Sequence, residues 1–379
     1  MTSETTATHT TAGDTVTSVA EAGALAASAT EAGDTAASAA SAARSHRRPS
    51  MAQVAQLAGV SSQTVSRVAN GLTNVDAATR DRVLAAMEEL GYRPNSAARA
   101  LKTGRFQSIG VIMTTLSTYG NMRTLDAIAT ASAQAGYSIT LMPIAVPTQG
   151  EMATAFTRLS EQAVDGIAII IEAHTLDNSD IILPPGLPAV ILDSDAGDRY
   201  TVVDADQAEG ARLATQHLLD LGHTTVFHLA GPESSFSAAR RTDSWRATLQ
   251  AAGAPELPPV VGDWTVESGY RIGLDLDPAI TAVFAANDQM ALGLMRALHE
   301  RGLSIPGDVS VVGFDDMAEA QAFWPPLTTV HQDFAEIGRR SIQALLHEIE
   351  DSSRDVGTTI VPTRLVVRES TAAPRALAE

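Results

Sequence analysis

MAQVAQLAGVSSQTVSRVAN, residues Met51–Asn70, reads as two short helices broken at Ala58-Gly59-Val60. Ser50 followed by Gln53 forms a capping-box pattern for the first helix. Ser61 suits the start of the second, because its hydroxyl can accept a hydrogen bond from a free amide one turn on. Val54, Leu57, Val60, Val65 and Val68 are spaced to pack the two helices together. Ser62, Gln63, Ser66 and Arg67 are left facing outward. Gln63 and Arg67 are four apart and share a face. Glutamine can pair with an adenine edge and arginine with a guanine edge in a major groove. An ordinary surface helical pair is the plainer reading of the same residues. After Asn70, a loop over 71–75 leads to a third helix, with Asp76 as cap, Val83, Leu84, Met87 and Leu90 on its inner side, and Gly91 as stop.

The bulk properties frame this module. The chain has 379 residues, 45% hydrophobic, with no cysteine, which excludes disulfides, thiolate chemistry and Cys-based metal sites. No run approaches the roughly 18 apolar residues of a membrane span, and the N-terminus lacks the basic start and apolar block of a secretory signal. Cytoplasmic placement is the expectation. The net charge of −18 looks wrong for a nucleic-acid binder, but it is unevenly spread. Residues 44–105 carry ten Lys and Arg against four Asp and Glu, leaving sixteen against forty elsewhere. A basic module joined to an acidic body is the asymmetry expected of a DNA-binding chain with a separate second function.

Taken in order, residues 1–44 are Ala, Thr, Ser and Gly with few large apolar side chains, and read as a disordered tail. Arg44, Arg47 and Arg48 form a basic arm, a phosphate contact or a solubility feature. Residues 45–92 are the helical module. Residues 93–105 are a short Ala-rich segment between Pro94 and Gly104, with Leu101 its one large apolar residue. It is a linker, or a hinge helix that folds only when paired on DNA, with Leu101 wedged into a minor-groove step. From Gln107, strands alternate with amphipathic helices in two successive sets, which predicts parallel sheets covered on both faces and a ligand cleft at the strand ends. The expected core spans 106–370: one subdomain about 106–204 and 331–356, the other about 205–330 and 357–370, with 371–379 as a tail.

The order of parts resembles the LacI/GalR family of bacterial transcription regulators over roughly 49–370. VAQLAGVSSQTVSRVANG, ELGYRPNSAARAL, LGHTTVFHLAGP, FAANDQMALG, DVSVVGFDD and PPLTTVHQDF stand in family order and spacing. The resemblance implies a helix-turn-helix domain plus a two-lobed α/β core of the periplasmic-binding-protein type. It implies a homodimer on double-stranded, pseudo-palindromic operator DNA, released by a small effector. By position, Ser62, Gln63 and Arg67 match base-reading residues and Leu101 matches the hinge leucine. Ser50, Ser61, Thr64, Ser66, Asn70, Asn74 and Thr79 match positions that commonly touch phosphates, and Asn95 falls in the same hinge motif. Ser62 and Ala52 stand where an aromatic residue can occur, so no operator sequence carries over. No heptad run follows the last strand, so a dimer is expected rather than a tetramer.

By position, Asp193, Ser237, Arg241, Trp264, Asn287, Asp315 and Gln332 resemble the family's sugar-contacting residues. Carboxylates, an amide and a guanidinium can pair with adjacent sugar hydroxyls, and an aromatic face suits the C–H side of a pyranose. Asp288 reads as a helix cap rather than a ligand group, Asp316 as a turn residue, and Ser237 can be a loop hydroxyl making only local bonds. His217, His223, His228 and His331 are scattered without metal-ligand spacing. The expectation is a repressor of carbohydrate-utilisation genes that responds to a small sugar such as a galactoside, with no catalytic residues, metal or cofactor. The alternatives are a purine or other non-sugar effector or corepressor, and a sugar-binding transport protein. An enzyme acting on the same ligand is disfavoured, since the chain has no Gly-rich phosphate loop and no G-x-S-x-G elbow.

Overall fold

The computed structural model describes residues 49–93, 100, 104–145, 148–171, 183, 186–194, 199–351 and 356–375. The expected tail 1–44, the arm at Arg44, Arg47 and Arg48, and most of the expected hinge, Asn95 and Leu101 included, lie outside the described residues. The chain divides into one unit up to Asn95 and a second from Ser96 onward.

The first unit contains helices α1 (Met51–Ala58), α2 (Ser62–Ala69) and α3 (Ala77–Leu90). Ser50 and Gln53 close a reciprocal capping box on α1, and Gly59 ends the helix in the left-handed region at φ 67°. Ser61 and Asp76 cap α2 and α3 through the backbone amides of Thr64 and Thr79. Val54, Val65 and Val83 are fully buried at the centre, each contributing about 1.5–3 kcal/mol of apolar burial. Two expected core residues lie elsewhere: Leu57 and Leu84 are 46% and 50% exposed. Ala55, Ala58 and Ala86 are buried in this core instead. Small residues let short helices approach closely, leaving a narrow seam without room for two more leucines.

The second unit is built on two six-stranded sheets. Its first lobe starts with β1 (Ser108–Met113), α4 (Tyr119–Gln134), β2 (Ser138–Pro143), α5 (Gln149–Glu161), β3 (Gly166–Ile170), β4 (Ala189–Leu192) and β5 (Thr201–Ala205). The second lobe holds α6 (Gln207–Asp220), β6 (Phe227–Ala230), α7 (Phe236–Ala252), β7 (Val260–Val261), α8 (Val266–Leu274), β8 (Ala282–Ala285), α9 (Asp288–Glu300), β9 (Ser310–Asp315) and β10 (Thr328–His331). The chain returns to the first lobe with α10 (Phe334–Asp351) and β11 (Gly357–Val361), then to the second with β12 (Arg364–Val366). The sheet orders are β11-β5-β4-β3-β1-β2 and β12-β10-β9-β8-β6-β7. Pairing is parallel throughout except β12, which runs antiparallel to β10. Strands such as β3 and β4 are apolar at every position and buried throughout, as strands covered on both faces must be.

The expected boundary at 357 is corrected here. β11 pairs with β5 from Gly357↔Thr201 to Val361↔Ala205, so 357–361 belong to the first lobe. The expected tail also begins later than 371. Ala372 N donates to Ser310 Oγ at 3.0 Å and Thr371 Oγ1 lies 2.9 Å from His217 Nε2, fastening this segment to the second lobe.

Three crossovers join the lobes, and they are bonded to one another. Asp206 N donates to Val361 O at 2.9 Å, Thr363 Oγ1 to Asp206 O at 3.0 Å, and Gln207 Nε2 to Gln332 Oε1 at 3.1 Å. Among the described residues, no helix is long and apolar enough to cross a membrane.

Candidate functional site

On the helical unit, Ser61, Ser62 and Gln63 are exposed at the start of α2, while Thr64, Ser66 and Arg67 are half-buried along it. The alternation follows from Val65 and Val68 turning inward. No hydrogen bond or ion pair among the described residues holds the Arg67 guanidinium, so its donors are available to a partner. Asn70 is partly committed, since its Nδ2 donates to Ser66 O at 2.7 Å and closes the helix end. Ser50 and Ser61 are N-caps and Thr79 lies in the first turn of α3. Backbone amides at helix starts are suited to phosphate oxygens. Asn74 is exposed in the loop before α3.

In the second unit, the cleft between the lobes opens onto a pocket of about 590 Å³, open solvent at its mouth included. Asp193, Ser237, Arg241, Trp264, Asn287, Asp315 and Gln332 all line it. Sequence reasoning missed the residues that α4, β5, α6 and α10 bring there, chiefly Asn121, Thr124, Asp204, Gln207 and Phe334. Asn121 and Thr124 are buried polar residues on α4, a departure from apolar periodicity that could have marked them.

The polar groups form a connected set. Arg241 Nε donates to Gln207 Oε1 at 2.9 Å, and Arg241 Nη1 donates to the Ala286 carbonyl. Gln207 Nε2 donates to Gln332 Oε1, and Gln332 Nε2 donates to Asp315 Oδ1 at 2.7 Å. Arg241 Nη2 lies 3.9 Å from the same Asp315 oxygen. The Arg241 guanidinium also sits 3.7 Å over the Phe314 ring and 5.5 Å from the Trp264 ring. A planar cation between two aromatic faces is held without losing its hydrogen-bonding edge.

Three of the lining residues have strained backbones. Asp193, Trp264 and Asp315 have φ of 57°, 71° and 109°. Left-handed backbone in non-glycine residues persists where the surroundings over-determine it, and it gathers at functional sites. Room for Trp264 comes from Gly231, where an added Cβ would lie 2.2 Å from the indole. The Trp264 Nε1 is buried and has no hydrogen-bond partner among the described residues.

The helix cap expected at Asp288 is made by Asn287 instead. Asn287 is the cap of α9, its Oδ1 accepting from Met290 N at 2.9 Å while Nδ2 donates to Trp264 O at 3.0 Å. It therefore holds Trp264 in place as well as lining the pocket. Asp288 is not the cap. It is fully buried, accepting from Met317 N at 2.9 Å and Thr329 Oγ1 at 2.5 Å. Burial, reinforced by the nearby Asp315 charge, raises its carboxyl well above the usual range. Asp316 has left-handed backbone, at φ 52°, and makes an ion pair, 2.6 Å from Arg368 Nη2 and 2.9 Å from His331 Nδ1. Ser237 makes a local bond to Ser235 at 3.1 Å and still borders the pocket.

The histidines have structural partners. His228 lies between Trp245 and Phe284 at centroid distances of 5.2 and 4.8 Å. Burial drives its imidazole down to about 4. His223 contacts Thr281, Ser310 and the Ala372 carbonyl. Among the described residues, no group of three or more His, Asp or Glu side chains is placed to hold a metal.

Known proteins carry the same combination. Residues 50–95 match the bacterial regulatory proteins, lacI family, and residues 215–371 match a periplasmic binding protein-like domain. The lactose operon repressor of Escherichia coli (strain K12) is 36% identical over 344 residues, 87% of this chain and 94% of that protein. The HTH-type transcriptional repressor PurR of Pasteurella multocida (strain Pm70) is 33% identical, over 85% of this chain and 98% of its own length. The crystal structure of the lac repressor dimer bound to operator and the anti-inducer ONPF superposes with a TM-score of 0.75. It shares 34% identity and covers 86% of this chain and all of that one.

Proposed function

Because the chain belongs to the LacI family of bacterial regulatory proteins, we propose that it is an operator-binding transcriptional repressor controlled by a small sugar. The observation that carries this reading is the pairing, in one chain, of a helix face with Gln63 exposed and Arg67 half-buried and a cleft lined by polar and aromatic residues suited to a pyranose. Gln63, Arg67 and Ser62 read bases, and Ser50, Ser61, Thr64, Ser66, Asn70, Asn74 and Thr79 position the helices on phosphates. Asn95 and Leu101 contribute further DNA contacts. Two copies bind a pseudo-palindromic operator, since a two-fold dimer demands symmetric half-sites. The protein acts in the cytoplasm, where such an operator is reached.

Arg241, Asp315, Asp193, Gln332, Asn287 and Ser237 contact effector hydroxyls, and Trp264 lies against the apolar ring face. The effector drives release only through differential affinity, binding the DNA-incompetent state more tightly. A coupling of about 1–3 kcal/mol is typical, and operator must weaken effector binding by the same factor. The chain performs no catalysis. Asp315 faces the cleft, whereas Asp316 is tied to Arg368 and His331. The adjacent carboxylates therefore do not form an acid–base pair. A purine effector is the second reading, favoured by the similarity to PurR and by an indole that could stack on a base.

The test is a fluorescence-anisotropy titration on the DNA upstream of its own gene, repeated with galactosides, glucosides and purines. Tight, salt-sensitive binding weakened by one sugar supports the reading. Sugar binding without DNA binding at any salt favours a transport protein, and release by a purine alone favours the second reading.

A further inference from the structure

The wall of the pocket formed by the first crossover carries a carboxylate that the reading above leaves unused. Asp204 is the penultimate residue of β5, is 7% exposed and lines the cleft. Its Oδ1 accepts from Ala205 N at 2.7 Å and from Gln207 Nε2 at 3.5 Å. No hydrogen bond among the described residues reaches its Oδ2. The Trp264 Nε1 in the same pocket is a buried polar atom without a hydrogen-bond partner among the described residues. One of these atoms needs a donor and the other an acceptor, and a ligand rich in hydroxyls supplies both.

The charges facing the cleft narrow the ligand further. Asp193, Asp204 and Asp315 line it, and Arg241 is the one cationic residue among the described lining residues. Arg240 adds its field at Asp204 from nearby. A phosphate or carboxylate ligand could accept from Trp264, but it would bring a like charge to three carboxylates. An uncharged polyol carries no such penalty.

Resting on the sugar-effector reading, we propose that Asp204 is a specificity-determining contact of the effector site, accepting a hydrogen bond from a hydroxyl of an uncharged polyhydroxy ligand and rejecting phosphorylated or carboxylated counterparts. Burial pushes the Asp204 carboxyl up to about 6, against the pull of its hydrogen bonds and of Arg240 and Arg241. A donated hydroxyl stabilises the ionised form. The effector then binds more tightly as pH rises from 5 through 6 to 7, and binding releases a fraction of a proton.

The test is calorimetric titration of the full chain with D-galactose and cellobiose, set against galactose 6-phosphate and galacturonate. The pH is varied from 5 to 7.5, and Asp204→Asn is run alongside with its thermal midpoint as folding control. The expected result has four parts: a neutral sugar binds, the anionic sugars bind at least tenfold more weakly, neutral-sugar affinity climbs with pH, and Asp204→Asn lowers that affinity about tenfold while flattening the climb. Should Asp204→Asn fail to fold, the pH profile and the neutral-to-anion ratio of the unmodified chain decide the matter. Anionic sugars binding as well as neutral ones, affinity falling as pH rises, or a folded Asp204→Asn with unchanged affinity would each overturn the inference. Failure of every sugar, neutral and anionic alike, removes the sugar reading and the inference with it. That outcome is distinct from a neutral sugar that binds without regard to Asp204.

Discussion

Arg241 Nε donates to Gln207 Oε1 across 2.9 Å, joining α7 to the first residue of α6 just after the chain leaves the first lobe. The Gln207 amide is used at both ends, because its nitrogen donates to Gln332 Oε1 and Asp204 Oδ1. One side chain thus sets the positions of the guanidinium and the amide that flank Asp315. Gln207→Leu keeps most of the volume and leaves Arg241 Nε and Gln332 Oε1 unsatisfied in a buried site. Each such loss costs about 1–3 kcal/mol. The expected outcome is an effector affinity roughly 5- to 100-fold weaker by calorimetry, with operator affinity in the absence of effector as the control. An unchanged effector affinity would mean that Gln207 only fills space.

The packing of Trp264 gives a second prediction. Gly231 leaves no room for a methyl group, since a Cβ there would meet the indole at 2.2 Å. The indole is the far end of a side chain and can swing away, but only by leaving its place over the pocket. Gly231→Ala is therefore expected to cost stability by about 1–3 kcal/mol and to weaken effector binding more than the stability loss accounts for. Urea unfolding and a sugar titration on the same preparation check the two effects. Effector binding that survives intact would place Trp264 outside the ligand contacts.

How far the sequence could carry this reading differs between the two units. The caps at Ser50, Ser61 and Asp76 were legible because helix starts have local chemistry. Leu57 and Leu84 were misplaced because a three-helix seam narrow enough for alanines cannot be judged from apolar spacing. In the core, strands with continuous apolar runs give a plain signal, whereas β5 and β10 carry Asp204, Thr328 and Thr329 and give a weaker one. Those two strands bring Asp204, Gln207 and Gln332 together, so the crossover side of the pocket was only partly visible. Asp288 was misjudged for a related reason. The true cap, Asn287, immediately precedes it, and the burial of Asp288 depends on Thr329 and Met317 far along the chain. The assignment of 357–361 failed because strand pairing across a lobe boundary leaves no local mark.

Stability against pH offers a third prediction, centred on His228. The folded state holds its imidazole at about 4, well below the ordinary 6.5, because burial between Trp245 and Phe284 disfavours the charge. The unfolded chain takes up a proton below pH 6.5 that the folded chain refuses until about 4. The stabilising contribution is complete above pH 6.5 and is lost as pH falls toward 4, about 2 kcal/mol of it between pH 7 and 5. His217 and His223 are lowered by burial too and add to the same trend. His228→Gln cannot titrate in this range. Its deficit against the unmodified chain in urea unfolding is expected to shrink from pH 7 to pH 5. A deficit that stays constant would show that His228 does not titrate differently in the two states.

The last prediction concerns base reading by α2. Arg67 has no hydrogen bond or ion pair to surrender among the described residues, so removing it leaves no buried group stranded. Its loss should therefore register in DNA binding rather than in folding. If Arg67 pairs with a guanine edge, Arg67→Ala costs about 1–3 kcal/mol on the cognate operator and relaxes preference at one base position. If it meets a phosphate instead, affinity falls by the same factor on random DNA and the salt slope drops by about one unit. Anisotropy titrations on operator, point-substituted operators and random duplex, each at two salt concentrations, separate these outcomes. Gln63→Ala, one turn earlier on the same face, should relax preference at a different position, and coincident positions for the two variants would contradict a shared reading face.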